Sequence, residues 1–245
     1  MLKFARAEHQ IISEMLGAMN RGFLLDNKCW FGGGTAIVLK LGEYRQSMDI
    51  DFLCSDIDGY RRLRMAAMSD GIGALFSSKV ESLREVKADQ YGIRALLRYN
   101  GQPIKFEIVR EGRIEIDGFL DQELGVPILA PADMFAEKLL ANADRCMDPA
   151  VNYRDALDIG MLIKGFGNIP NTALAKVDRA YGADIEKRAV WVVNRLCDLD
   201  ELRRASDAVQ MKNETALEAI GFFRDECRRI WPTASIDTPS SVSPS

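Results

Sequence analysis

The stretch from Phe31 to Phe52 limits this chain more than any other: Phe-Gly-Gly-Gly-Thr-Ala-Ile-Val-Leu-Lys-Leu-Gly-Glu-Tyr-Arg-Gln-Ser-Met-Asp-Ile-Asp-Phe. Cys29-Trp30-Phe31 reads as a short strand that runs directly into Gly32-Gly33-Gly34-Thr35, and Ala36 to Leu41 resumes a helical pattern. Residues 47–53 then alternate as a strand does, with Met48, Ile50 and Phe52 on one face and Ser47, Asp49 and Asp51 on the other. A strand, a glycine turn, a helix and a second strand in so short a run require a sheet with a helix packed close to it.

Each part of this unit is weak alone. Asp49 and Asp51 stand two strand rises of about 3.3 Å apart on one face, close enough to share hard divalent cations, which take oxygen ligands. A solvated strand edge gives the same pattern. Gly33-Gly34-Thr35 offers backbone N–H groups, a hydroxyl and a helix N-terminus to phosphates, although three glycines elsewhere mark only a tight turn. Their position between a strand and a helix favours the phosphate reading. No Gly-Lys-Ser/Thr follows, which excludes a Walker loop, and no Gly-x-Gly-x-x-Gly continues into a dinucleotide motif. Ile104-Lys105-Phe106-Glu107-Ile108-Val109 supplies a third carboxylate, Glu107, on the polar side of another alternating stretch; the bland reading is a surface Glu.

The rest of the chain falls into two halves. Residues 5–22 are read as a helix stopped by Gly22, Asp58 to Met68 as a helix with Asp58 as N-cap, and 79–87, 91–99 and 103–110 as strands, the last two joined by an Asn100-Gly101 turn. Pro131-Ala132-Asp133 opens a helix through Arg145, and nearly everything to Trp231 is helical. The expected organisation is α+β: an α/β domain over 1–127, a helical domain over 128–231 completing the site, and a disordered Pro/Ser/Thr-rich tail over 232–245.

Composition removes several classes. The single histidine, His9, argues against Ser-His-Asp and Cys-His catalysis. Five scattered cysteines without Cys-x-x-Cys indicate reduced thiols, neither a disulfide frame nor a zinc site, and no membrane span or signal core is read, so the cytoplasm is expected. A formal net charge of -4 argues against coating nucleic acid by bulk positive charge but leaves room for a local basic groove.

In the helical half, Lys138, Asn142 and Arg145 at i, i+4 and i+7 share one helix face beside Met134, Phe135 and Leu139, and Asp155 and Asp158 share a face of the next helix. Such stripes are commonly solvated surface; their alignment beside apolar residues points to something polar docking there. Trp191, Val192 and Leu196 are more simply core than a base-stacking platform, and Arg203, Arg204, Arg228 and Arg229 could touch RNA, although paired arginines on helices are commonly solvent-facing.

The stretch from Phe31 to Phe52 resembles the first motif of the AbiEii/AbiGii toxin-type nucleotidyltransferases, with Gly33-Gly34-Thr35, Arg45-x-Ser47 and Asp49-x-Asp51 in the family's order. Glu137 to Arg145 and Tyr153 to Ile159 resemble its Lys-rich helix and its Arg-Asp-x-x-Asp helix, so the similarity covers about residues 28–165. The resemblance implies a polymerase-beta-like domain with a small mixed sheet followed by helices. It implies a metal set of Asp49, Asp51 and Glu107 for two Mg²⁺, with Mn²⁺ as an alternative. Gly33, Gly34, Thr35, Lys138, Asn142 and Arg145 would face the nucleotide, Arg45 and Ser47 would orient the loop, and Asp155 or Asp158 would act as base or orienter.

The expected reaction moves a nucleoside monophosphate from ATP, CTP or GTP to an acceptor hydroxyl with release of pyrophosphate. The resemblance favours RNA, a tRNA 3′ end, as acceptor and an antitoxin as partner. A small-molecule acceptor, a protein acceptor and a non-catalytic nucleotide- or partner-binding module are the competing expectations.

Overall fold

The computed structural model describes residues 3–78 and 80–238. The chain divides into two compact units, one of residues 1–43 and 47–133, the other of residues 44–46 and 134–245.

In the first unit, α1 (Ala7–Gly17) is followed by a short α2 (Arg21–Asp26). The single helix expected over 5–22 is therefore broken. Met19 bridges Phe76, and the Asn20 side chain accepts the Phe23 N–H at 3.2 Å, so Asn20 caps a new helix that contains Gly22. Next come β1 (Trp30–Gly32), α3 (Gly33–Lys40), β2 (Ile50–Cys54) and α4 (Ile57–Asp70). The N-cap of α4 is Asp56, whose Oδ1 accepts the Gly59 N–H at 2.6 Å, and not Asp58.

The strands that follow are β3 (Glu81–Ser82), β4 (Lys87–Ala88), β5 (Gly92–Tyr99), β6 (Gln102–Arg110), β7 (Gly118–Leu120) and β8 (Pro127–Leu129). The stretch expected as one strand over 79–87 is reduced to two short pieces, β3 and β4, and both pair with β5. Asn100 and Gly101 join β5 to β6 with φ of 46° and 81°, the two positive values that a tight hairpin with the sheet's own twist requires.

Among the described residues these strands form one eight-stranded mixed sheet, in the order β3-β5-β6-β2-β1-β8-β7 with β4 beside β5. It is larger than the small sheet expected, because β7 and β8 extend it past β1. The sheet's buried side is aromatic: Phe31, Phe52, Phe106 and Phe76 follow one another at ring-centroid distances of 5.4, 6.1 and 6.0 Å.

The second unit is helical, built on α5 (Pro131–Arg145) from Met134 onward, α6 (Arg154–Phe166), α7 (Asn171–Tyr181), α8 (Asp184–Arg195), α9 (Leu199–Ala208) and α10 (Asn213–Ile230). α10 buries Ala216, Ala219, Ile220, Phe223 and Cys227, a helical-period stripe, and packs most extensively on α6. The two backbones meet at Gly160, where an added Cβ would lie 2.0 Å from the Ala219 carbonyl oxygen. Val192 and Leu196 are core and Trp191 is half-buried against Tyr153, with ring centroids 6.3 Å apart.

Of the tail expected to be disordered, residues 232–238 are described and tied to α8: Asn194 bonds the Ser235 carbonyl at 2.9 Å and the Asp237 N–H at 2.9 Å. Residues 239–245 lie outside the described residues.

Candidate functional site

Strand register, not proximity in sequence, assembles the acids of the first unit. β1 runs antiparallel to β2 and pairs Gly32 with Asp51, and β2 runs parallel to β6 and pairs Asp51 with Glu107. Residues opposite one another on neighbouring strands project to the same face, so Asp51 and Glu107 stand together on the side away from Phe52 and Phe106. Asp49, one residue ahead of β2, continues this alternation and is half-buried.

α3 begins at Gly33, which has φ of +68° and lies directly under Asp51. A Cβ on Gly33 would sit 2.7 Å from Asp51 Oδ2, so glycine is required both by the backbone conformation and by the carboxylate above it. The helix N-terminus presents backbone N–H groups beside this acid, because Gly32, its N-cap, has no side chain to cap them.

The segment leading into Asp49 is held from three sides within this unit. Ser47 Oγ and Thr35 Oγ1 are hydrogen-bonded at 2.8 Å, and the Ser47 N–H donates to His9 Nε2 at 3.3 Å. With Nε2 accepting, His9 Nδ1–H donates to Glu43 Oε1 at 2.8 Å. Glu43 also accepts the backbone N–H groups of Ala5 at 2.6 Å and Arg6 at 3.0 Å. His9 is fully buried, and its role is to fix the approach to Asp49. Thr35 is buried as well, with its hydroxyl turned to Ser47.

Carboxylates are the donors that a hard divalent ion takes, and Gly33, lacking a Cβ, lets the α3 N-terminus lie directly against the Asp51 carboxylate, so by donor type Asp49 and Asp51 fit such an ion. The three-acid ligand set expected from the sequence is not gathered: among the described residues no group of three His, Cys, Asp or Glu side chains forms a metal cage. Glu107 is turned toward cations, with Arg94 Nε at 2.8 Å from Oε1 and Lys105 Nζ at 3.9 Å from Oε2. Arg94 is its cross-strand neighbour in register.

The second unit contains a chain of buried ion pairs. Asp158 is completely buried and accepts from Tyr44 Oη at 2.6 Å, from Arg45 Nε at 2.7 Å and Nη2 at 2.8 Å, and from Lys138 Nζ at 2.7 Å. Lys138 bridges to Asp155 Oδ1 at 2.9 Å, and Asp155 in turn takes Arg145 Nε at 2.7 Å and Nη2 at 2.9 Å. Burial raises the pKa of both carboxyls, but the cations outweigh it: Lys138 and Arg145 hold Asp155 well below the usual carboxylate range, and Arg45 and Lys138 depress Asp158. Burial and the adjoining Asp158 push the Tyr44 hydroxyl up, so it remains a donor.

The expected charged site residues of this unit are paired with one another. Arg45 and Lys138 are buried and bonded to acids of their own unit, where the sequence suggested a supporting loop residue and a phosphate contact. Asp155 and Asp158, expected as base or orienter, each pair with two cationic side chains, Lys138 and Arg145 for the first and Arg45 and Lys138 for the second. Asn142 is buried on the same face of α5 as Lys138 and Arg145, and Arg145 retains partial exposure. Tyr44 went unnoticed in the sequence, although its place beside Arg45 was a usable signal. His9 and Glu43 are 34 residues apart and had none.

Arg203, Arg204, Arg228 and Arg229 each pair with an acid one turn earlier, respectively Asp200, Glu201, Asp225 and Glu226. All five cysteines are free, four of them buried. No described helix is long and apolar enough to cross a membrane.

The chain matches no curated protein in sequence. Among solved structures, a candidate nucleotidyltransferase from H. pylori aligns over 96% of this chain and 100% of its own at a TM-score of 0.54 and 19% identity. An antigenic nucleotidyltransferase-like protein from Paracoccidioides brasiliensis aligns over 85% and 94% at a TM-score of 0.51 and 16% identity. At such identities the likeness concerns the fold. The family model described as nucleotidyl transferase AbiEii toxin, type IV TA system, matches residues 18–230, nearly the whole length over which the carboxylate row and the buried ion-pair chain are built. The chain therefore belongs to the AbiEii nucleotidyltransferase toxin family.

Proposed function

We propose that this protein transfers a nucleoside monophosphate from an NTP to the 3′-terminal hydroxyl of an RNA, a tRNA being the favoured acceptor, as the toxin of a toxin–antitoxin pair. The observation that carries this reading is the in-register placement of Gly32, Asp51 and Glu107, with Asp51 directly over the N-terminal glycine of α3. Phosphates taken by the N–H groups of Gly33 and Gly34 would lie beside the acids. Asp49 and Asp51 would hold Mg²⁺, as a pair of ions or with Mn²⁺ in its stead, and Glu107 would join them by leaving Arg94. The metal supplies charge neutralisation at the phosphates.

The acceptor oxygen forms the new bond to the α-phosphorus, the bond to the pyrophosphate oxygen breaks, and the hydroxyl proton leaves through water, since Asp155 and Asp158 are already engaged by buried cations. Those two acids, with Arg45, Lys138 and Arg145, act by fixing the helical unit. A neutralising antitoxin is the partner this reading calls for, and the cytoplasm, where buried thiols such as Cys29 and Cys227 stay reduced, is the compartment.

The test is incubation with each α-labelled NTP, Mg²⁺ and total RNA or total protein, with Asp51→Ala as control. Label in the RNA fraction that Asp51→Ala abolishes is the expected result. Label in protein or a small molecule would reassign the acceptor. Metal-dependent NTP binding without transfer under any condition would make the chain a binding module.

A further inference from the structure

The balance of charge in this acidic chain turns positive in one stretch. Residues 60–110 contain ten Lys and Arg against five Asp and Glu, whereas the rest of the chain contains 22 against 31. Strand alternation places Lys87 of β4, Arg94 and Arg98 of β5 and Lys105 of β6 on one side, and Arg110 at the end of β6 on the other. On β5, Ile93, Ala95 and Leu97 are buried, which turns Arg94 and Arg98 to the other face; on β6, Ile104, Phe106 and Ile108 are buried, which turns Lys105 and Glu107 the same way.

Register then sets one continuous row across five strands. Lys87 pairs with Arg94, Arg94 with Glu107, Glu107 with Asp51, and Asp51 with Gly32. Lys87 stands three strand spacings from Asp51, about 14 Å. Lys87 is exposed, Arg98 and Lys105 have side chains 49% and 59% exposed, and all three lie on the face that carries the acids. Arg98 meets Glu81 at 3.4 Å and Arg94 meets Asp89 at 3.1 Å, exposed pairs that a polyanion displaces at little cost.

We propose that the outer face of β4, β5 and β6 is a docking track for a nucleic-acid strand, with Lys87, Arg98 and Lys105 taking backbone phosphates and directing the strand's end to Asp51. The exposed cations Lys87, Arg98 and Lys105 are complementary to phosphodiesters. The proposal rests on the nucleotidyl-transfer reading only in naming the strand's end as acceptor; the surface itself does not depend on it.

The experiment measures fluorescence anisotropy of a labelled single-stranded RNA, and of a DNA of the same sequence, over a salt series. It compares the wild type, a Lys87→Ala/Arg98→Ala double variant and an Arg203→Ala/Arg204→Ala control on α9. The double variant should weaken binding by roughly an order of magnitude and flatten the logarithmic salt slope by about 0.7 for each phosphate it no longer neutralises, while the control binds as wild type. Binding of DNA as well as RNA supports the track, since phosphates are what it reads. Equal binding by the double variant and wild type at equal melting temperature overturns the proposal, as does absence of wild-type binding at low salt.

Mg²⁺-dependent NTP binding, followed by calorimetry in the same proteins, should be unchanged in the double variant. Wild-type protein that binds the strand through Lys87 and Arg98 but transfers no nucleotide would sink the nucleotidyl-transfer reading and leave the track standing. Transfer to a non-nucleic-acid acceptor, with no strand bound, would do the reverse.

Discussion

Arg45 grips Asp158 with two parallel hydrogen bonds, Nε to Oδ1 at 2.7 Å and Nη2 to Oδ2 at 2.8 Å, between residues 113 positions apart in the chain. The pair is buried, and the guanidinium lies 5.9 Å from the centroid of the Tyr44 ring, whose hydroxyl bonds the same carboxylate. Asp158 thereby anchors Arg45 within the helical unit.

Removing one side of a buried pair leaves the other charge uncompensated, which costs far more than the pair contributes. Asp158→Ala strands Arg45 and deprives Lys138 of one of its two carboxylates, and should lower unfolding free energy by about 3–5 kcal/mol. Tyr44→Phe removes one hydrogen bond and should cost about 1–2 kcal/mol. Urea unfolding followed by circular dichroism gives both values. A loss under about 1 kcal/mol for Asp158→Ala would mean that the carboxylate is not held as described.

The depressed carboxyls fix the sign of the acid response. A carboxyl whose folded pKa lies below its unfolded value contributes stability in full above the unfolded pKa, about 3.9, and loses it as pH falls toward the folded pKa. Asp155 and Asp158 both behave this way. The urea midpoint should be nearly flat from about pH 7 to 5 and fall steeply below about pH 4. Asp155→Asn should be less stable at neutral pH and show a shallower acid decline. An Asp155→Asn curve parallel to wild type throughout would show that this residue does not carry the effect.

Gly33→Ala should impair the site and the fold together. The substitution places a Cβ 2.7 Å from Asp51 Oδ2 at a position with φ of +68°. Strain of about 1–3 kcal/mol and a displaced Asp51 are expected, seen as a lower melting temperature and weaker Mg²⁺-dependent nucleotide binding. Gly42→Ala also has positive φ, but open space around it, so it should show the strain without the loss of binding.

Asp51→Ala should abolish transfer yet leave the metal-free protein as stable as wild type or slightly steadier. Asp51 stands in register with Glu107 on the face that continues to Asp49, so removing one carboxylate lowers the negative charge gathered there. Thermal melts in chelator, compared with melts in Mg²⁺, would show it. A clear drop in metal-free melting temperature would assign Asp51 a structural role.

Local periodicity was enough to reveal β2, β6, α3, α5 and α6, because a two-residue or 3.6-residue repeat is written in the order of side chains. The glycine turn, Asp49-x-Asp51, Glu107 and the shared helix faces of Lys138, Asp155 and Asp158 were legible for the same reason, and the family motifs added the roles they imply. The sequence could not state which partner each charge would choose. Arg94 lies thirteen residues before Glu107 and meets it only because β5 and β6 pair in one register; a shift of one residue would turn Arg94 to the buried side. Lys138 is on one helix and both of its acids are on another, so whether it faced a nucleotide or those carboxylates depended on helix packing. The chain alone thus determined which chemistry was present, because residue type and spacing are local. Tertiary structure decided which groups were spent on one another and which remained exposed, because charges pair with whatever the fold brings within a few ångströms.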